Sequence, residues 1–283
     1  MIVIWKMERI SLLKVEKDIY FSQMHASTII IFLVIAVAIF LQFRKNKAKN
    51  WDEPEEMFPD NWRRILRQKV QFYKNLSVND KAIFEYKVHE FLLNTKIKAQ
   101  DTTLEDVDKL LIAASAVIPT LRFQGWKYYN LDEVVLVPKA FAFAKEDPTK
   151  KAHGLVGYGA MEGKMIISKR ALHSGFADQT DNKNTAIHEF LHLIDKMDGE
   201  IDGIPKVLME NPTVVPWLDM IETKMEEIKK KDSCIRPYGA ENKAEFFSVA
   251  SEYFFEQPEV MKENHPDLYQ MLDDLFNRER IKR

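Results

Sequence analysis

The chain has 283 residues, with 41 Lys and Arg against 43 Asp and Glu, a formal net charge of −2. That balance excludes a globally basic nucleic-acid binder, and no nucleic-acid partner is expected. A single cysteine, Cys234, excludes a disulfide framework and a Cys-rich zinc module, so a metal here would be held by His and carboxylates.

In chain order, residues 1–25 form an N-terminal segment. Residues 26–43 read ASTIIIFLVIAVAIFLQF without a charge. Eighteen residues make about 27 Å of helix, enough to cross a hydrocarbon core, so this run is expected to be a single transmembrane helix. Lys and Arg number four in residues 1–25 and eight in residues 44–69. The positive-inside rule then predicts a single-pass inner-membrane protein with its C-terminal body in the cytoplasm. Residues 44–58 read as a basic, polar linker, and residues 59–283 as the functional domain.

Within that domain Asp60 is a candidate cap for a helix carrying Trp62, Ile65, Leu66, Val70 and Tyr73 at helical spacing. Ser77 caps the next, with Asp80 three residues on. A third helix spans about 103–117 and stops before Pro119. Val134–Val137 and Met165–Ser168 read as strands, and helices resume near Asn184, Val214, Glu241 and Pro266. The expectation is an α+β body, mostly helical with a small sheet.

The chemistry concentrates in residues 184–199, NTAIHEFLHLIDKMDG. His188-Glu189-Phe190-Leu191-His192 is an HExxH, and on a helix its two imidazoles share one face and can reach one metal ion. Glu189 lies beside them, where it can face a metal-bound water. Ile187, Phe190, Leu191 and Ile194 form a separate apolar stripe for the core, and Gly199 suits a helix C-terminus. Two histidines and a third ligand around Zn²⁺ leave one position for a water that becomes nucleophilic.

The third ligand is sought on another element. Residues 238–257, YGAENKAEFFSVASEYFFEQ, contain a strongly amphipathic helix with Glu245 and Glu252 seven apart on nearly one face. Glu245 is the favoured ligand. Asp198 and Glu252 compete, but a helix without a breaker before Gly199 carries Asp198 more than two turns beyond His188. Asp195 and Glu252 are candidates to orient the histidines from behind. Met165, Ile166, Ile167 and Ser168 are the candidate strand for pairing with a substrate backbone. The pair Asp198-Gly199 and Asp202-Gly203 is read as turns rather than a calcium loop.

HEFLHLID together with YGAENKAEFFSVASEYFFEQP resembles the Mlc titration factor A family of zinc peptidases, and is distantly similar to the catalytic domain of anthrax lethal factor. FPDNWRRIL at 58–66, VQFYKNL at 70–76, MIISKRAL at 165–172 and GFADQTDNKNTAIHEF at 175–190 extend the likeness over about residues 55–275. The resemblance implies a zincin-like fold of gluzincin type. It implies His188, His192 and Glu245 as zinc ligands, Glu189 as general base and Tyr238 as a transition-state donor. A peptide or protein substrate is expected. The competing expectation is a regulatory binding protein that keeps the peptidase fold and sequesters a partner such as a transcriptional regulator.

Overall fold

The computed structural model describes residues 51–142, 151–178, 180–209 and 211–277. The expected membrane span at 26–43 lies outside these residues. Among the described residues no helix is long and apolar enough to cross a membrane. The single-pass, cytoplasm-facing placement is corrected accordingly and is withdrawn.

From Asp52 onward the chain forms one compact unit. It opens with helices α1 (Asp60–Lys69), α2 (Gln71–Asn75) and α3 (Val78–Asn94). Asp60 is the first helical residue rather than the cap, because extended Pro59 occupies that position and offers no side-chain acceptor. Ser77 does cap α3, accepting from the Asp80 N–H at 3.1 Å. After β1 (Lys96–Ala99), α4 (Asp106–Val117) begins three residues later than the pattern suggests. There Glu105 and Asp108 cap each other's backbone reciprocally, which fixes the start.

The strands β2 (Glu133–Val137), β3 (Phe141–Ala142), β4 (Lys151–Ala152), β5 (Gly154–Val156) and β6 (Lys164–Ser168) follow. Four of them form one sheet in the order β1-β2-β6-β5. β1, β2 and β6 run parallel, and β5 returns antiparallel along the outer side of β6. β3 and β4 form a separate antiparallel pair.

Helices α5 (Lys169–Ala177), α6 (Thr185–Asp195), α7 (Asn211–Lys229), α8 (Lys243–Glu256), α9 (Pro258–Asn264) and α10 (Pro266–Phe276) complete the body. The apolar stripe of α6 is fully committed to the core: Ile187, Phe190, Leu191 and Ile194 are all buried. Phe190 packs edge-on against Phe91 and Tyr128 with ring centroids 5.7 and 5.4 Å away. Burying a side chain of that size contributes about 2–3 kcal/mol. The same logic holds α8, whose Phe246, Phe247, Val249, Ala250 and Tyr253 are buried. Each helix therefore has its rotation fixed by packing, and its polar stripe is aimed by the core behind it.

Two glycines permit the close approaches that join these elements. Gly203, at φ +79°, sits where a Cβ would lie 2.3 Å from the Lys243 carbonyl oxygen. That contact draws the loop after α6 onto the start of α8. Gly154 on β5 lies against Glu189 of α6 in the same way, with a Cβ position 2.4 Å from Oε1.

Candidate metal centre

The helical register of α6 places His188 and His192 one turn apart, with ring centroids 4.6 Å apart and planes nearly perpendicular. Asn184 sets where that helix starts, its Oδ1 accepting from the Ile187 N–H at 3.2 Å. Asn242 does the same for α8 by accepting from the Glu245 N–H at 2.9 Å. The first turn of α8 thereby brings Glu245 Oε2 to 2.9 Å from His188 Nε2 and 3.5 Å from His192 Nε2. The three donor atoms all lie within 4.8 Å of one another.

Donors at bond lengths near 2.1 Å around a tetrahedral ion are about 3.4 Å apart, so this spacing fits one divalent cation. Two imidazoles and a carboxylate are also an ordinary donor set for such an ion. The local field points the same way. Burial pulls the His188 imidazolium down, but Glu252 and Glu245 outweigh it and hold the group at about 10. Burial raises Glu245, and bonds to both imidazoles outweigh that, leaving its carboxyl well below the usual range. The site stabilises positive charge between these three side chains.

A second layer fixes the rings. Glu252 Oε1 lies 2.7 Å from His188 Nδ1 and also accepts from Arg236 Nη2 at 2.5 Å. Its Oε2 accepts from the Asn184 N–H at 2.7 Å. With Nδ1–H directed at a carboxylate, the ring would offer its Nε2 lone pair to a metal once the second proton of the imidazolium has left. The second imidazole is held differently, with Ser248 Oγ 3.2 Å from His192 Nδ1.

Glu189 is buried beside the cluster with its carboxylate against Gly154. Burial raises its carboxyl, and the His188 and His192 charges oppose that rise. Tyr238, in the 3-10 turn Pro237–Ala240, has its ring centroid 5.9 Å from that of His188 and remains 42% exposed. Burial and the neighbouring Glu245 push its hydroxyl well up, so it is a proton donor at neutral pH. These groups open into a cleft of about 960 Å³ with β5 on one wall and the start of α8 on another.

Two sequence expectations need correction. β6, containing Met165, Ile166, Ile167 and Ser168, is hydrogen-bonded on both sides, to β2 and to β5, so it has no edge for a substrate. The strand that borders the cleft is β5. Its Leu155 faces Ile166 of β6, flanked by bonds from Ser168 N–H to His153 O and from Gly157 N–H to Lys164 O. By antiparallel alternation, the backbone groups of Gly154 and Val156 point away from the sheet. Asp195 does not reach either histidine; its Oδ2 accepts from the Gly203 N–H at 2.8 Å and the side chain is fully buried. Asp198 lies in the 3-10 turn after α6, 3.4 Å from Lys206 Nζ, where Gly199 at φ +106° ends the helix.

Sequence reasoning passed over Gly154, Arg236 and Ser248, and read Asn184 only as the start of a helix. An isolated glycine in a short apolar run does signal a close backbone approach. Ser248 and Arg236 carry no such signal, because their partners come from a different helix.

The profile of the glucose-regulated metallo-peptidase M90 family matches residues 42–277, and the chain belongs to that family. It is 29% identical to an uncharacterized protein of Synechocystis over 76% of this chain and 82% of that protein. It is 26% identical to the Mlc titration factor A of Pectobacterium atrosepticum over 66% of this chain and 74% of the relative. With the Mlc titration factor A of Serratia proteamaculans the identity is 23% over 61% and 70%.

Proposed function

We propose that this M90-family chain is a zinc-dependent peptidase in which His188, His192 and Glu245 hold the metal and Glu189 acts as general base. The observation that carries the reading is the convergence of those three donors beside a buried glutamate in a cleft bordered by an open strand edge. A bound zinc would supply Lewis acidity, polarising the scissile carbonyl and lowering the pKa of a water.

The chain's own residues account for the rest. The outward backbone groups of Gly154 and Val156 can pair with an extended peptide and lay it across the histidines. Glu189 stands between that edge and the cluster, where it can take a proton from the attacking water and return it to the leaving nitrogen. Tyr238, protonated and at the cleft mouth, can donate to the carbonyl oxygen as it gains charge. Glu252 and Ser248 hold the two rings in place from behind. Holding ring orientation in advance removes reorganisation from the reaction step.

The test is hydrolysis of a mixed peptide library by the zinc-supplied full chain, with Glu189→Gln as control. Cleavage by the wild type and a loss of at least about a hundredfold in the variant is the expected result. A second reading draws on the name of its Mlc titration factor A relatives: a binding protein for a regulatory partner. Stoichiometric metal with no hydrolysis of any peptide would favour that reading.

A further inference from the structure

The cleft is electrostatically lopsided. Lys151 and Lys183 line it, beside the start of β5 and the start of α6. Both are exposed, and among the described residues neither ammonium meets a carboxylate in an ion pair. Lys183 donates its backbone N–H to Asp181 Oδ1 at 3.1 Å.

His153 lines the same cleft, two residues after Lys151. Its imidazolium is disfavoured by burial and then by the charges of Lys183 and Arg170, so these cations share one field. Arg236, below the rim, is charge-paired with Glu252 through Nη2 and adds no spare charge, although its Nε is buried without a hydrogen-bond partner among the described residues. The opposite end carries no such excess. There Lys243 pairs with Glu222 at 3.3 Å, and Asp202 lies 3.7 Å from Lys206. Within the centre, the carboxylates of Glu245 and Glu252 are already engaged by His188 and Arg236.

From this we infer that the cleft selects peptides bearing a carboxylate at the end that lies beside Lys151 and Lys183, so that its substrates are acidic on one side of the scissile bond. The inference deepens the peptidase reading and rests on it for the word substrate. The two lysines line the same cleft as the outer edge of β5, and their flexible stems let them follow a carboxylate at more than one position. Complementary charge of this exposed kind gives selectivity and faster encounter more than tight binding. The carboxylate can be an Asp or Glu side chain or the free C-terminus of the peptide.

The measurement is fluorescence anisotropy on the full chain carrying Glu189→Gln and supplied with zinc. The probes are labelled peptides that differ only by Glu, Gln or Lys at successive positions, each as free acid and as C-terminal amide. At low salt the best-placed Glu should bind on the order of tenfold more tightly than Lys at that position, the scale of two exposed ion pairs. The gap should shrink between about 50 mM and about 500 mM salt. Lys151→Glu combined with Lys183→Glu should invert the Glu-to-Lys ratio. Tighter binding of free acids than of amides whatever the side chain assigns the carboxylate to the C-terminus, and a Glu-over-Lys preference that persists in the amides assigns it to a side chain; both support the inference.

Equal binding of Glu and Lys peptides together with equal binding of free acids and amides would overturn it, as would a preference unchanged by the double reversal, or no peptide binding at all. Wild-type hydrolysis of the tightest peptides, measured in parallel, separates the two claims. Acid-selective binding without hydrolysis would sink the peptidase reading and keep the selectivity. Hydrolysis without selectivity would do the reverse.

Discussion

Glu245 and Glu252 stand on opposite nitrogens of one imidazole, Glu245 Oε2 at 2.9 Å from His188 Nε2 and Glu252 Oε1 at 2.7 Å from Nδ1. Two carboxylates two turns apart on α8 thus do different jobs on one ring from α6. One faces the cluster that fits a metal, and the other faces the protein interior, where it is also tied to Arg236 and to the Asn184 backbone.

Glu252→Gln should therefore weaken metal binding without abolishing it. Loss of the charge behind His188 lowers the basicity of Nε2, and a change of about 10–100-fold in metal affinity is expected. Competition with a chelator reads this directly. An affinity equal to wild type would show that Glu252 serves the fold alone.

Gly154→Ala should damage turnover while leaving metal content intact. The added methyl would lie 2.4–2.6 Å from the Glu189 carboxylate, so the base or the strand must move. Misplacement by about 1 Å at a reacting group costs on the order of a hundredfold. The check is kcat beside elemental analysis of the same sample, and unchanged kcat would mean Glu189 is not held against β5 during the reaction.

Tyr238→Phe removes the hydroxyl and keeps the ring beside His188. If the tyrosine donates to a developing oxyanion, kcat falls by about a hundredfold and metal content stays the same. Steady-state kinetics on the best library peptide measures this; a change confined to KM would assign Tyr238 to ground-state binding instead.

Asp195 makes stability depend on pH. Burial, and then Asp202 and Asp198 against the opposing Gly203 bond, push its carboxyl up to about 7. A folded pKa above the unfolded value of about 3.9 means the native state holds the proton longer. Its neutral form costs nothing below about pH 4, and stability is then lost as pH rises from about 4 to about 7. The loss is on the order of 2–4 kcal/mol, since the side chain is fully buried. Denaturant unfolding across that range should show a flatter slope in Asp195→Asn than in the wild type. Parallel slopes would show that Asp195 ionises in the native state as freely as in the unfolded one.

The sequence by itself determined the parts of the site that lie within single helices. The four-residue spacing of His188 and His192, the apolar stripe through Phe190, and the faces shared by Glu245 and Glu252 all follow from helical geometry. Ser77 could be read as a cap for the same reason, because its partner is three residues away. The tertiary structure decided what required two distant segments to meet. The edge of the sheet belongs to β5 and not β6, since strand order depends on pairings across the whole domain and both runs are short and apolar. Ser248 rather than Asp195 meets His192, and Gly154 makes room for Glu189, because these contacts depend on how α6, α8 and β5 pack together. Local periodicity fixes which face a side chain shares; it carries no information about which element arrives opposite that face, and that is set by burial of the core.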